Sequence, residues 1–490
     1  MHVFIEKIKS LFGSEQDFYS SSYISHIYKI CLIIYGILVY GILLWYAYTF
    51  ILVVDEREHL TASFYVYSGQ VPYRDFFEHH HPLLWYIFAP VLNFCDNTPY
   101  IWYIIRTYAL LWIFLNCIVV YKLSQLIAQN KGFSILAVLF SVAPHCIYVT
   151  NIAFRPDGFM SLFLLIGVYF FLKYLQSKRY LMLQMAIISF FISFMFLQKV
   201  LIFLFFIALL MLLLVYKKEV KIKDILISSI VPLSIYLGYI FYMYQIGALK
   251  DYWELNFLLN IKAHYVFTYP ISHTVYFYIA NAVALYILFT KQPNILQYIA
   301  FLAVSFSFIL FFLGTFEHYW IPLYSYFAIV CAYMINRLKD KWRVCAMVII
   351  TICTLIDDAF GLYGQKTFPY LQFYVEQSKT VLRVAKKNDY ILGDLKVIGG
   401  LRQDVAGYYW FGRDYMGLID NHYFNRHPLP DANKLLKEKK PKILSYMNWF
   451  NCMREDFSTD QDCVMIEDTF DPKYLKEHYF KDGMFWIRKD

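Results

Sequence analysis

Ionisable residues cluster in a polar stretch that follows the first long apolar run of the chain. This stretch, residues 55–82, reads DEREHLTASFYVYSGQVPYRDFFEHHHP. If a helix continues outward from the apolar run, Asp55, Glu58 and His59 share one face by i,i+3 and i,i+4 spacing. Glu56 then points about 100° away, because a helical turn takes 3.6 residues. Ionisable groups at a membrane boundary are costly to hold, and this cost makes them functional candidates.

The residue types of this stretch leave three interpretations open. The first is a solvated polar loop. The second is a site for a divalent metal ion, since glutamate and histidine ligate zinc or manganese. Consecutive histidines cannot all face one ion on a regular element, and the candidate ligands are Glu78, His79, His80 and His81. The third interpretation is an active site with a carboxylate base.

Three shorter polar clusters lie beside later apolar runs. Each one alone is typical of interfacial anchoring, in which Tyr and Trp occupy the membrane–water boundary. Together with Asp55 they bring carboxylates, cations and an imidazole to one side of the membrane. A transporter would instead favour ionisable groups near the midplane. The clusters are Arg155-Pro156-Asp157, Gln198-Lys199 and Glu317-His318-Tyr319-Trp320. Within an apolar run only Arg106 stands out, and we expect it to pair internally.

The composition indicates the elements that must position these groups. Of 490 residues, 60% are hydrophobic and 16% are charged, whereas soluble domains carry about 25% charged residues. Lipid must therefore cover much of the chain. The net charge of +8 does not indicate nucleic acid, because the basic residues lie in short segments between apolar runs. The first apolar run is too long for a signal peptide and is expected to be an uncleaved first span.

Apolar runs predict about eleven transmembrane helices, since a helix needs about 20 residues to cross a bilayer. The predicted spans are 29–54, 100–121, 133–150, 158–172, 181–198, 200–216, 225–246, 273–290, 295–314, 319–335 and 343–357. Lysine and arginine concentrate in alternate connecting segments, which places the N-terminus in the cytoplasm by the positive-inside rule. An odd number of spans then places the tail outside.

The chain is thus predicted to be a helical polytopic membrane protein with a small C-terminal extracytoplasmic α/β domain. Short apolar stretches alternate with helix-like stretches in the tail, and this alternation favours an α/β domain. The predicted regions are a cytoplasmic N-terminus (1–26), a transmembrane domain (27–357) that includes the first outer loop (55–97), and the tail (358–490). Cys452 and Cys463 are either a disulfide or two free thiols, because spacing cannot establish bond geometry.

The first loop resembles that of the GT-C glycosyltransferases, in particular glycosyltransferase family 39, the protein O-mannosyltransferase and lipid A aminoarabinose transferase group. The resemblance lies in D-E-x-x-x-L followed by G-x-x-P-Y-x-D-x-x-x-x-H-x-P. In this chain the pattern is carried by Asp55-Glu56, Leu60, Gly69, Pro72, Tyr73, Asp75, His80 and Pro82. The later polar clusters resemble further family motifs in the same order. A run of three histidines replaces the commoner single histidine before proline.

The resemblance implies a membrane glycosyltransferase, a hexosyl or pentosyl transferase, that moves one sugar from a polyprenyl-phosphate carrier to an extracytoplasmic acceptor with inversion. It implies that Asp55 is the general base and that Glu56 supports it or contacts acceptor or metal. Candidates for holding the donor phosphate and sugar are Arg74, Arg155, Asp157, Lys199, His318 and Tyr319. Glu78 and the three histidines order the loop, with a divalent ion as the one candidate cofactor, or close over substrate. Tyr73 and Trp85 are expected to stack on sugar or pack against lipid.

Other functions remain open on the sequence. A polytopic transporter or flippase of a lipid-linked or small solute is the main alternative, and a non-catalytic assembly factor is another. A polymerase or ligase that uses lipid-diphosphate donors is a closer enzymatic alternative. The acceptor is a glycolipid, a polysaccharide or a protein. Short loops and a compact tail favour a bacterial inner membrane as the location.

Overall fold

The computed structural model describes residues 25–50, 52–143, 150–262, 275–313, 317–363, 371–392, 402–405, 422–428, 431–445, 470–483 and 485–489. The long apolar runs form helices because a backbone surrounded by lipid must satisfy its hydrogen bonds within the segment. In chain order the helices before the tail are α1 (His26–Thr49), α2 (Val54–Tyr67), α3 (Leu83–Cys95), α4 (Ile101–Ile127), α5 (Lys131–Val142), α6 (Pro156–Ser177), α7 (Tyr180–Phe196), α8 (Val200–Tyr216), α9 (Ile222–Gln245), α10 (Leu249–Trp253), α11 (Val275–Phe289), α12 (Asn294–Leu313), α13 (Ile321–Arg337) and α14 (Asp340–Tyr363).

Several of these helices are suited to a bilayer. Within the described residues, α1, α4, α6 and α9 are long and apolar enough to cross it. Six shorter apolar helices accompany them, including α3, α5, α7 and α8. A helix overlies each of the eleven predicted apolar runs. The protein is therefore a helical membrane protein, and the count of eleven spans stays a prediction.

The first predicted span is wrong at its end. The apolar run was expected to reach residue 54, but α1 ends at Thr49 and a separate helix begins at Val54. The Glu56 carboxylate accepts a hydrogen bond from the Val53 N–H at 2.9 Å, which satisfies a backbone donor at the start of α2. The first loop also contains α3, an apolar helix that the sequence analysis did not predict.

The core of the helical bundle surrounds α13. Every side chain from Ile321 to Tyr333 is buried, so protein contacts this helix on all sides. In contrast, α9 buries only Ser228, Pro232 and Met243, and its other side chains suit contact with lipid. At Gly167 the helices α6 and α7 approach so closely that a Cβ would lie 2.3 Å from the Phe190 ring.

The described part of the tail contains short helices and a mixed five-stranded sheet. Its strand order is β2-β1-β3-β5-β4, with β1 parallel to β2 and β3, and β5 antiparallel to β3 and β4. The tail elements are α15 (Leu371–Val384), β1 (Tyr390–Leu392), β2 (Gln403–Asp404), α16 (His422–Arg426), α17 (Ala432–Lys439), β3 (Ile443–Leu444), α18 (Pro472–His478), β4 (Tyr479–Asp482) and β5 (Phe485–Arg488). Cys452 and Cys463, the predicted alternatives for a disulfide, lie outside the described residues.

The tail is attached directly to the helical bundle. The Trp102 indole on α4 donates a 2.7 Å hydrogen bond to the Ser378 hydroxyl on α15. Beyond α15, Lys387 pairs with Asp96 at 2.5 Å, just after the end of α3. These contacts fix the start of the tail against α3 and α4.

Candidate functional site

Glu56 fastens the first loop to two other parts of the bundle. Both its carboxylate oxygens lie 2.5 Å from the Arg106 guanidinium on α4, and one also accepts the Phe154 N–H at 3.2 Å. Glu56 and Arg106 are both fully buried. The prediction that Arg106 pairs internally is confirmed. Because its oxygens are occupied and inaccessible, Glu56 is placed to hold the loop, whereas an acceptor or metal cannot reach it in this structure.

Asp55 begins a chain of ion pairs with residues from later helices. Its carboxylate lies 2.7 Å from the Arg155 guanidinium, and Arg155 lies 3.4 Å from Asp157. Asp157 in turn forms an ion pair with the Lys199 ammonium. The Asp55 side chain is 28% exposed, against 8% for Arg155 and 2% for Asp157. Solvent therefore reaches the Asp55 end of the chain most easily.

The starts of three helices position these four groups. Asp55 lies in the first turn of α2, and Arg155 precedes α6, whose first turn contains Pro156 and Asp157. Proline suits a first helical position, and a carboxylate there is stabilised by the positive end of the helix dipole. Lys199 immediately precedes α8. Residues far apart in sequence converge because the helices that carry them begin at the same end of the bundle.

An aromatic pair completes this ion-pair chain. The Lys199 ammonium lies 3.9 Å from the centroid of the Tyr319 ring, a cation–π contact. The His318 ring packs edge-on against Tyr319 at 4.6 Å. Burial lowers the pKa of Lys199 to about 8, an effect that Asp157 opposes. Burial also lowers the pKa of His318 well below its usual range, and the charges of Arg155 and Lys199 lower it further.

A second, largely enclosed cluster adjoins this chain. It consists of Glu58, His59, Glu78 and His80. Each of the four offers one ligand atom, and all of these atoms lie within 4.8 Å of one another. Burial raises the pKa of the Glu58 carboxyl, and the charge of Glu78 raises it further. Burial likewise raises the pKa of the Glu78 carboxyl. Two carboxyls buried together need a shared proton or a cation between them.

The donor set of this cluster fits a divalent metal ion. Carboxylate oxygen and imidazole nitrogen are the ligands of zinc and manganese. Glu58 Oε1 and Glu78 Oε2 are buried and lack a hydrogen-bond donor within the described part of the chain. The His80 imidazole Nδ1 lies 2.9 Å from the Glu78 carboxylate and 3.5 Å from that of Glu58.

His59 differs from the other members of the cluster. Its Nδ1 accepts a 3.2 Å hydrogen bond from the Trp85 indole. A neutral imidazole has one protonated nitrogen, so His59 carries its proton on Nε2. That nitrogen is buried without a hydrogen-bond partner among the described residues, and it cannot ligate a cation while it holds the proton.

The three consecutive histidines point in different directions. His81 lies outside the cluster, because its Nδ1 bonds the Phe194 carbonyl at 2.8 Å and its Nε2 lies 3.1 Å from the Tyr252 hydroxyl. His79 lies 3.7 Å from Glu58 and 3.6 Å from Glu78, at the margin of the cluster. Of the four predicted ligands, Glu78 and His80 belong to the cluster found in the structure.

Tyr73 and Trp85 support this loop from within. Both are fully buried, so the expectation that they stack on sugar or pack against lipid is wrong. The Tyr73 hydroxyl donates a 2.6 Å hydrogen bond to the His80 carbonyl, and its backbone has a φ of 69°, a value rare for non-glycine residues. Arg74 pairs with its neighbour Asp75 at 2.7 Å and is 43% exposed.

Two further contributions to the site were not expected from the sequence. Glu58 and His59 were placed on the face of Asp55 but not assigned as cluster members. Gln198 was noted only as part of a polar cluster, yet its amide donates to the carbonyls of His79 and Asn256 at 2.9 and 3.0 Å. The sequence signal for Gln198 is its position between two apolar helices. A polar amide is seldom buried there unless it has hydrogen-bond partners.

Known proteins resemble this chain in sequence over one segment and in fold over most of its length. Residues 80–242 match the family model described as dolichyl-phosphate-mannose-protein mannosyltransferase. This segment contains His80, Arg155, Asp157 and Lys199. A search of curated proteins finds no match.

Crystal structures of ArnT from Cupriavidus metallidurans share the fold. The structure bound to undecaprenyl phosphate matches with a TM-score of 0.59 at 10% identity, covering 84% of this chain and 92% of that one. The chain has the GT-C fold. The apo structure of ArnT matches over the same shares, at 10% identity and a TM-score of 0.52. The oligosaccharyltransferase AglB from Archaeoglobus fulgidus, in complex with an inhibitory peptide and a dolichol-phosphate, matches with a TM-score of 0.49 at 10% identity. The match covers 95% of this chain and 74% of that one.

The predicted resemblance to the GT-C glycosyltransferases is confirmed for the fold by the ArnT structures. Within the GT-C fold of this chain, six predicted site residues form one cluster at the starts of helices. They are Asp55, Arg155, Asp157, Lys199, His318 and Tyr319. Glu56 and Arg74 make the separate contacts described above.

Proposed function

We propose that this protein is a membrane glycosyltransferase that moves one sugar from a polyprenyl-phosphate carrier to an acceptor outside the cytoplasm. The observation that carries the proposal is the meeting of one accessible carboxylate, Asp55, with a buried cation, Arg155, and a partly buried one, Lys199, in the GT-C fold. The family model over 80–242 and the undecaprenyl phosphate bound by ArnT support a lipid-linked donor. A donor with an isoprenoid tail also accounts for a site at the end of a membrane-embedded bundle.

The chemistry requires a base on one side of the sugar and positive charge on the other. Asp55 accepts the proton of the acceptor hydroxyl. The acceptor oxygen then bonds the anomeric carbon as the bond from that carbon to the phosphate oxygen breaks, and the electron pair leaves with the phosphate. A single displacement inverts the anomeric configuration.

Arg155 and Lys199 stabilise the leaving lipid phosphate, which gains one negative charge in this step. Arg155 offers a planar fork of donors and Lys199 a point charge. Asp157 lies between both cations and holds them in place. His318 and Tyr319 close the far end of the donor site, where Tyr319 covers the Lys199 ammonium. The geometry favours Glu56 as a positioning residue, and Arg74 stays a candidate contact for the sugar or phosphate at the exposed edge.

The enclosed cluster would hold a divalent cation through Glu58, Glu78 and His80, with His59 as a donor to a ligand carboxylate. A bound cation would neutralise the two buried carboxylates and order the loop that follows α2. A shared proton is the alternative occupant, and metal analysis of the purified protein distinguishes the two.

The proposed topology follows the loop charges. Eleven spans, an N-terminus in the cytoplasm and a C-terminal α/β domain outside would place Asp55 on the outer face, where an acceptor arrives. A bacterial inner membrane is the proposed location. The acceptor is a glycolipid, a polysaccharide or a protein, and the sugar is a hexose or a pentose.

Reconstitution tests the function. Purified protein in liposomes, supplied with polyprenyl-phosphate sugars, should transfer sugar to an acceptor or release polyprenyl phosphate. Movement of intact lipid-linked sugar across the bilayer without cleavage would favour the transporter instead. Activity with a lipid-diphosphate donor only would favour a polymerase or ligase. Mass spectrometry of glycolipids and glycoproteins from cells with and without the protein would then identify the product.

A further inference from the structure

A segment of the tail binds the stretch of chain that follows α9. Arg426 lies 2.5 Å from Asp251 and 2.6 Å from Glu254, and the His427 imidazole lies 2.8 Å from the other Asp251 oxygen. The Asp251 side chain is only 7% exposed. Both of its carboxylate oxygens thus depend on residues of the tail, about 175 positions later in the sequence, for charge-assisted hydrogen bonds.

The same tail segment also contacts the first loop. Tyr423 is fully buried among Tyr73, Phe77 and Tyr252, and its ring packs edge-on against Phe77 at 5.7 Å. Tyr73 and Phe77 belong to the loop that carries Glu78 and His80. The tail, the first loop and α10 therefore share one small apolar core that is separate from the core of the helical bundle.

A network of hydrogen bonds continues from α10 to the enclosed cluster. The π-helical stretch Glu254–Leu259 follows α10 directly. The Asn260 amide donates to the His79 carbonyl at 2.8 Å, and the Gln198 amide bridges the carbonyls of His79 and Asn256. The backbone of His79 joins Glu78 to His80, so its position fixes two of the cluster's side chains.

We propose that Arg426 and His427 are positioning residues for the reaction centre, acting through Asp251 and the His79 backbone. The tail segment 422–427 then completes the support of the first loop. The effect on sugar transfer rests on the proposed function, but the coupling between the tail segment and the first loop does not. The simpler possibility is that the tail only docks for its own stability, and this possibility predicts no effect on the first loop.

Hydrogen exchange of the full-length protein in detergent, without metal or donor, tests the coupling. Arg426→Ala should speed exchange of backbone amides in 249–260 and also in 76–81 by roughly tenfold, because it leaves two acidic groups without their cation. Arg426→Lys, which keeps the charge, should restore most of the protection. Lys387→Ala is the matched control, since it breaks the ion pair of the tail with Asp96 at the end of the first loop, away from 76–81, and it should leave 76–81 unchanged.

Faster exchange in 249–260 with unchanged exchange in 76–81 would overturn the proposal. So would equal effects of Arg426→Ala and Lys387→Ala on the first loop, which would indicate general loosening of the tail. In the transfer assay, Arg426→Ala should lower kcat more than it raises KM for the donor, because the donor cations remain in place. If no donor supports transfer by the unmodified protein, the proposed function fails while the exchange result still decides the coupling.

Discussion

The Arg155 guanidinium lies 2.7 Å from the Asp55 carboxylate, so the proposed base and a proposed phosphate ligand are bound to each other. In the proposed reaction the arriving donor phosphate would compete for Arg155. As Arg155 turned to the phosphate, the Asp55 carboxylate would lose this partner and could accept a hydrogen bond from the acceptor hydroxyl instead. The pair thus favours an order of events in which the donor binds before the base acts.

Asp55→Asn should abolish transfer while leaving the protein folded. The loss of a general base is expected to lower kcat by about 10²- to 10⁴-fold. Because the substitution releases Arg155, binding of polyprenyl phosphate should be unchanged or tighter, as measured by tryptophan fluorescence or calorimetry in detergent. Asp96→Asn is the control, since Asp96 pairs with Lys387, away from the site. Normal transfer by Asp55→Asn would sink the base assignment.

Arg155→Lys should weaken binding of the donor, since a lysine cannot reproduce the two parallel hydrogen bonds of the guanidinium fork. We expect an increase of roughly tenfold in the Kd for polyprenyl phosphate. The titration should be made at two salt concentrations, because a buried site is screened less than an exposed one. An unaltered Kd would remove Arg155 from the phosphate site.

Transfer should decline as the pH rises through about 8, the pKa to which burial lowers Lys199. The ammonium is charged below this value and neutral above it, so kcat/KM for the donor, which reports the free enzyme, falls on the alkaline side. Lys199→Arg should move the decline to higher pH, because a guanidinium stays charged. A decline at the same pH in both proteins would assign it to another group.

Glu56→Gln should destabilise the protein, because it leaves the buried Arg106 cation without its carboxylate. Breaking such a pair costs about 3–5 kcal/mol in the free energy of unfolding. Thermal unfolding in detergent measures the loss, and Glu56→Leu combined with Arg106→Leu should recover much of it. A Glu56→Gln protein with unchanged stability and no transfer would show that Glu56 takes part in the chemistry.

His59, His80 and His81 should differ from one another in a metal assay. His80→Ala should lower the zinc or manganese content of the purified protein sharply, whereas His81→Ala should leave it close to normal. His59→Ala should lower the metal affinity by about 10- to 100-fold, the usual effect of removing a residue that orients a ligand. Equal metal content in all three variants, or its absence from the unmodified protein, would favour a shared proton in the cluster.

Much of the ion-pair cluster could be predicted from sequence, because helix boundaries and sidedness are encoded locally. Arg155, Asp157 and Lys199 each stand where an apolar run starts, and the alternating loop charge predicts that these particular starts lie on one face. The apolar helix α3 was missed because Pro90 interrupts a short run. The break after Thr49 was missed because the residues on both sides of it are apolar.

The partners of buried groups could not be predicted in this way. Glu56 and Arg106 were both noted, but their pairing is a tertiary contact that no spacing encodes. The direction of each histidine depends on the bend that contains Tyr73 and on hydrogen-bond partners from α7 and α10, which are distant in sequence. Tryptophan is common at the membrane boundary, so the sequence does not single out Trp85. Only the fold shows its hydrogen bond to His59.

The divergence of His79, His80 and His81 has a consequence for how this sequence can change. The three look like redundant copies, but one is held through its backbone carbonyl, one joins the two glutamates and one bonds Tyr252. Deleting a single residue between Tyr73 and Pro82 would still leave an imidazole near each of these three positions. Each imidazole would then lie in the surroundings of its neighbour and would have to make the contacts of that neighbour. The three histidines therefore have three different structural roles. This stretch should tolerate insertion or deletion less well than its composition suggests.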